Sequence, residues 1–134
     1  MEQKEKTIFK KIIDKEIPST NIFEDDTHLA FLDISPVRFG HTLLIPKKEY
    51  TWLQDMPDDE IASLFIQAGK LMRSIKQGLS CDYVQLSVVG KDVPHVHVHL
   101  IPRNFDDGLH GWETQTYAST EEMNMYAEKI TSRL

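Results

Sequence analysis

The sequence predicts an α+β domain, an antiparallel sheet of about five strands with helices packed on it. Three observations carry this. Residues 94–102, PHVHVHLIP, alternate polar and apolar side chains with the period of a half-buried strand. Residues 21–24 and 28–32 flank Asp25-Asp26-Thr27, a turn-forming tripeptide, which suits a hairpin. Ile61, Leu64, Phe65, Ala68, Leu71, Met72 and Ile75 recur at helical spacing and mark a long amphipathic helix. A chain of 134 residues, 40% hydrophobic and 27% charged, fits one domain over 1–134 with one core.

The elements follow in order. Ile8, Phe9, Ile12 and Ile13 give a short helix over about residues 6–14, stopped by Pro18. The hairpin comes next; Ser35-Pro36 ends its second strand, and His28 reads as a surface residue. Residues 40–46, GHTLLIP, form a buried strand with His41 at its start, and Lys47-Lys48-Glu49-Tyr50 a solvated turn. Asp58, Asp59 and Glu60 begin the long helix, where acids meet the positive end of the helix dipole, and Gly78 ends it. Tyr83–Val89 is a strand, and Gly90-Lys91-Asp92 turns it into the histidine strand. Arg103–Trp112 is a surface loop, in which His110 and Trp112 are candidates to line a neighbouring subunit's site. Ser119-Thr120-Glu121-Glu122 is a capping box that opens a final helix carrying Met123, Tyr126, Ala127 and Ile130 on one face.

Composition bounds the function. A net charge of −6 argues against long nucleic acid, which needs a basic footprint, but not against a small nucleotide. Cys81 is the single cysteine, so no intrachain disulfide forms and a reducing cytoplasm is the expected home. Met1–Lys6 carries no apolar signal core, and no apolar run is long enough to span a membrane.

Three of the six histidines, His95, His97 and His99, fall at period two. On a strand they share one face, about 6–7 Å apart, while Val96, Val98 and Leu100 enter the core. Such a row can be structural, can ligate a metal, or can serve as an imidazole nucleophile flanked by phosphate-binding neighbours.

His95-Val96-His97-Val98-His99-Leu100-Ile101 resembles the motif of the histidine triad (HIT) family of nucleotide hydrolases and transferases, His-x-His-x-His followed by two apolar residues. Residues 7–19, Phe31–Pro36 and Gly40–Lys47 are similar to its other blocks in the same order, and the chain is most similar to the protein kinase C interacting protein-like (HINT-type) branch. The resemblance implies a HIT-like fold, a homodimer, and a purine nucleotide substrate, an AMP or GMP derivative cleaved through a nucleotidyl-histidine. It assigns His97 as nucleophile, His99 and His41 to the phosphate oxygens, and the His95 carbonyl to the Nδ1–H of His97. Asp33 would accept from the ribose hydroxyls, with Ile17, Phe31, Leu32 and Ile34 around the base. The loop with Gly90, Lys91, Asp92 and Val93 would meet the phosphate, and Ser87 lies near the family's usual asparagine. Many relatives carry Cys-x-x-Cys for zinc where this chain has Thr7 and Lys10, so no metal and no cofactor is expected. The activity implied is phosphoramidase; the alternatives are a dinucleoside polyphosphate hydrolase and a nucleotide-binding regulatory protein with incidental hydrolysis.

Overall fold

Asp25 sets the first turn of the sheet. Its Oδ1 accepts from the backbone N–H of Thr27 (2.9 Å) and of His28 (2.6 Å), which closes the hairpin between β1 (Asn21–Glu24) and β2 (His28–Leu32). In the computed structural model, which describes residues 5–134, this hairpin is one edge of a five-stranded antiparallel sheet. The first four residues of the expected 1–134 domain, Met1–Lys4, lie outside the described residues. The remaining strands are β3 (Thr42–Pro46), β4 (Tyr83–Ser87) and β5 (Val98–Arg103), in the order β1-β2-β3-β5-β4.

The pleat divides the sheet's side chains. Ala30, Leu32, Leu44, Val98 and Leu100 enter a core with Leu64, Ala68, Leu71 and Ile75 of helix α2 (Asp58–Leu79) and with Ala127 and Ile130 of helix α3 (Thr120–Thr131). Leu29, Phe31, Leu43 and Ile45 face the other way. They pack beneath Phe9 and Ile12 of helix α1 (Ile8–Ile13), only six residues long. The register places Phe31 opposite Leu43, Leu43 opposite His99 and His99 opposite Ser87, one continuous row on the thinly covered face.

Several local expectations change. Helix α1 ends at Ile13 with Asp14 as its cap, close to the expected bound, but the chain turns out of it at Lys15, which enters the left-handed region (φ 61°), before Pro18 is reached. Gly78 does not stop α2; Ser80 does, with φ 54°. Gly78 lies inside the helix where α3 crosses it, and a Cβ there would sit 2.1 Å from the Lys129 carbonyl oxygen, so the glycine allows the close approach. Strand β4 stops at Ser87, leaving Val88 and Val89 exposed in the loop. Pro102 lies within β5, opposite Val84, past the point where β3 has ended, so no strand on that side needs its missing N–H. His28 is buried rather than on the surface, beside Asp25, Thr27 and Ser63. Lys47 is tied to Glu24 at 2.8 Å instead of being free in a solvated turn. Among the described residues no helix is long and apolar enough to cross a membrane.

Candidate active site

The histidine strand is only half a strand. Ladder pairing begins at Val98, so His95, Val96 and His97 lie on irregular backbone leading into β5. That segment is anchored by Val96 N–H donating to the Tyr50 carbonyl (2.8 Å) and by His95 Nε2–H donating to the Pro46 carbonyl (2.8 Å). The three rings therefore do not form an even row. His95 is fully buried under Phe9, and its Nδ1 is the one buried side-chain polar atom without a partner among the described residues. His97 and His99 stand together, ring centroids 5.0 Å apart.

Hydrogen bonds fix the tautomers. A carbonyl oxygen only accepts, so His97 Nδ1, 2.7 Å from the His95 carbonyl, carries the proton and donates it; in the neutral ring Nε2 keeps its lone pair. At His41 the order is reversed. Its Nδ1 accepts from the Val37 N–H (3.0 Å), so the proton sits on Nε2 and is donated to His99 Nδ1 (3.0 Å). His99 must then carry its own proton on Nε2, as a donor to whatever enters the cleft. Burial pushes the His41 imidazolium down to about 3, with nearby His99 adding to the effect. Burial also holds His99 at about 4; His97 lowers it further and the Asp92 carboxylate opposes. Both rings are thus neutral at pH 7, as this chain of donors requires.

Beside these rings lies a cleft of about 470 Å³. Its walls are largely apolar, Phe9, Ile12, Ile17, Phe31, Ile34, Leu43 and Val93, and are joined by His97, His99, Trp112 and Asp33, whose carboxylate lies within 4.8 Å of a His99 ring nitrogen. Phe9 packs edge-on against His97, centroids 4.9 Å apart. Asp33 Oδ1 accepts from the Ser35 N–H (2.9 Å), and burial raises its carboxyl above the ordinary range. Its Oδ2 is 3.8 Å from His41 Nε2, too long for a hydrogen bond.

Most of the residues expected at the site converge here. Ile17, Phe31, Asp33, Ile34, Asp92, Val93, His97 and His99 line the cleft. Leu32 borders it, but its side chain belongs to the core under α2, because alternation along β2 sends Phe31 and Leu32 to opposite faces. Gly90 and Lys91 line a smaller adjoining cavity, and Gly90 (φ +77°) passes so near the Trp52 ring that a Cβ would meet it at 3.3 Å. Ser87 sits opposite His99 in register but faces a separate groove with Gln85, His110 and Trp112, and accepts from Gln85 Nε2 (3.0 Å). His41 and His95 lie behind the cleft wall. Sequence reading missed Phe9 and the Val37 N–H, and left Trp112 to a neighbouring subunit; Trp112 stands over this chain's own His99, centroids 4.8 Å apart. A tryptophan in a Gly- and Asp-rich loop was the available signal for it. A backbone donor such as Val37 leaves none.

The donors present suit a metal poorly. Thr7 Oγ1, at one of the two positions where relatives carry cysteine, accepts from the Lys10 N–H (3.1 Å) as the cap of α1. Asp33, His41 and His99 each bring one ligand atom within 4.8 Å of the others. The His41 and His99 nitrogens that face each other are, however, joined by their 3.0 Å hydrogen bond, and two ligands on one tetrahedral zinc would stand about 3.3 Å apart with neither nitrogen protonated.

The HIT domain model matches residues 14–106. An uncharacterised HIT-like protein of Methanocaldococcus jannaschii is 44% identical over 106 residues, 75% of this chain and 81% of that one. The adenosine 5'-monophosphoramidase HNT1 of Saccharomyces cerevisiae is 39% identical over 114 residues, 81% of this chain and 70% of the yeast protein. The crystal structure of a Hit-like protein from Bartonella henselae superposes with a TM-score of 0.83 at 32% identity, covering 96% of each chain. This chain, with its five-stranded antiparallel sheet and its histidine pair at the mouth of an apolar cleft, belongs to the HIT family.

Proposed function

We propose that the cleft binds a purine nucleoside 5'-monophosphate moiety and that the protein hydrolyses nucleoside 5'-phosphoramidates. The observation that carries this is the opposed pair of tautomers. His97 presents a bare Nε2 where His99 presents an N–H, so a phosphate between them meets a nucleophile and a donor at once. In this reading the base lies among Phe9, Ile12, Ile17 and Phe31, and the Asp33 carboxylate, which lines the same cleft, accepts from the vicinal diol with its two oxygens.

The reaction takes two displacements. His97 Nε2 forms a bond to phosphorus as the P–N bond of the substrate breaks, and the departing amine takes a proton from water. His99 Nε2–H and its supporting chain through His41 to the Val37 N–H hold a phosphate oxygen meanwhile. Water then attacks phosphorus, the bond to His97 breaks, and the nucleoside monophosphate leaves. The His95 carbonyl stabilises the cationic adduct by keeping the proton on Nδ1. The resemblance to a yeast monophosphoramidase supports the substrate class.

Rapid quenching with a labelled AMP phosphoramidate should trap nucleotide on His97 as an acid-labile adduct; an adduct on His95 or His99 would overturn the roles. A panel of phosphoramidates and dinucleoside polyphosphates should show the former turned over faster. We further propose that the chain works as a homodimer in the cytoplasm, and sedimentation at micromolar concentration should show about twice the mass of the 15.5 kDa chain; a monomer there would refute the assembly.

A further inference from the structure

Asp92 has no part in the mechanism above, yet it stands at its centre. The nucleoside cleft and the smaller cavity of about 230 Å³ share four residues: Asp92, His97, His99 and Trp112. A phosphorus held by His97 and His99 occupies that junction. With the nucleoside in the apolar cleft, the leaving group falls in the smaller cavity, between the Gly90-Lys91-Asp92 loop and the Trp112 ring.

We propose, resting on the phosphoramidase reading, that Asp92 and Trp112 form a leaving-group subsite for an amine that carries a further positive charge. Asp92 is exposed and makes no hydrogen bond or ion pair among the described residues, so its charge is free to act on a ligand. It is near enough to His99 to oppose the fall in that ring's proton affinity. A carboxylate beside a phosphate is repulsive by itself, and an anionic leaving group such as a sulfate, a polyphosphate or a carboxylate-bearing amine would add to the repulsion. An ammonium group relieves it, and the indole wall of Trp112 suits a cation as well. Lys91 lines only the smaller cavity and Asp33 only the nucleoside cleft, whereas Asp92 lines both, so Asp92 is the charged side chain that stands at the junction and faces the leaving-group side.

The test uses three AMP amidates of matched length, made from 1,3-diaminopropane, butylamine and β-alanine, which end in an ammonium, a methyl and a carboxylate group. The native protein should show kcat/KM about tenfold higher for the ammonium-tailed than for the carboxylate-tailed amidate, Asp92→Asn should erase most of that ratio, and Asp92→Lys should invert it. Equal values in the native protein, a preference that survives Asp92→Asn, or a preference for the carboxylate tail would overturn the subsite; the last would hand selectivity to Lys91. The same three compounds titrated calorimetrically onto unreactive His97→Ala protein separate this inference from the one beneath it. Tight binding with the ammonium preference but no turnover by native protein sinks the catalytic reading and leaves the subsite. Turnover with no preference sinks the subsite alone. No binding of AMP itself removes both.

Discussion

The face of the sheet under α2 and α3 is sealed, whereas the face under α1 is not. On the first, Leu64, Ala68, Leu71 and Ile75 close over Ala30, Leu44, Val98 and Leu100, and all eight are buried. On the second, a six-residue helix covers Leu29, Phe31, Leu43 and Ile45, and the uncovered remainder is the cleft. The histidines stand at the seam. Val98 and Leu100 root β5 in the sealed core while His97 and His99, one pleat away, open onto the cleft. The comparison teaches where rigidity comes from: tautomers fixed to one nitrogen require a strand that does not shift, and burial on the opposite face supplies that.

If the two faces divide stability from chemistry, substitutions on them should separate the two readouts. The largest expected effect is on the open face. His97→Ala removes the proposed nucleophile but not Asp33 or the apolar walls, so turnover should fall by at least ~10³-fold while AMP affinity and the melting temperature stay close to native. A large loss of thermal stability in that variant would break the division.

Leu71→Ala on the sealed face should do the reverse. Leu71 is fully buried, and emptying its site should cost about 2–5 kcal/mol in urea unfolding, with kcat per folded molecule unchanged.

Acid should weaken the fold through the histidines at the seam. His41 and His99 titrate at about 3 and about 4 in the folded protein, below their unfolded value of 6.5. Between these values the unfolded chain holds more protons, so stability is full above about pH 6.5 and declines as pH falls, by up to about 1.4 kcal/mol per pH unit for each ring. Urea midpoints measured from pH 7 to pH 5, above the carboxylate range, should fall, and a His41→Asn/His99→Asn double variant should flatten the slope. A flat native profile would show that the rings are not held neutral by burial.

The smallest expected effect concerns the Asp33 carboxylate. Asp33→Asn should weaken AMP binding by about tenfold and erase the preference for AMP over its 2',3'-dideoxy form, read by titration calorimetry. A preference that persists would place the sugar elsewhere.

What the sequence determined is what neighbours in the chain can settle. Asp25 two and three residues before its N–H partners makes a hairpin, Thr7 and Ser119 three residues before theirs cap helices, and apolar residues at three- and four-residue spacing make α2. The motif 95–101 likewise announced the family, and the resemblance it carries implied the bond from His97 Nδ1–H to the His95 carbonyl two residues back, which the structure contains. Register and crossing decided the rest. His41 finds His99 across 58 residues only because Leu43 pairs with His99 between β3 and β5. Gly78 is needed by α3 rather than by the end of its own helix, His28 is buried by a helix thirty-five residues on, and Trp112 reaches back over His99 from a loop with no pattern of its own. The proton on each imidazole belongs to this second class. A histidine's tautomer is set by the partner of its other nitrogen, and for His41 that partner is a backbone N–H, which every residue but proline carries and no side chain reveals.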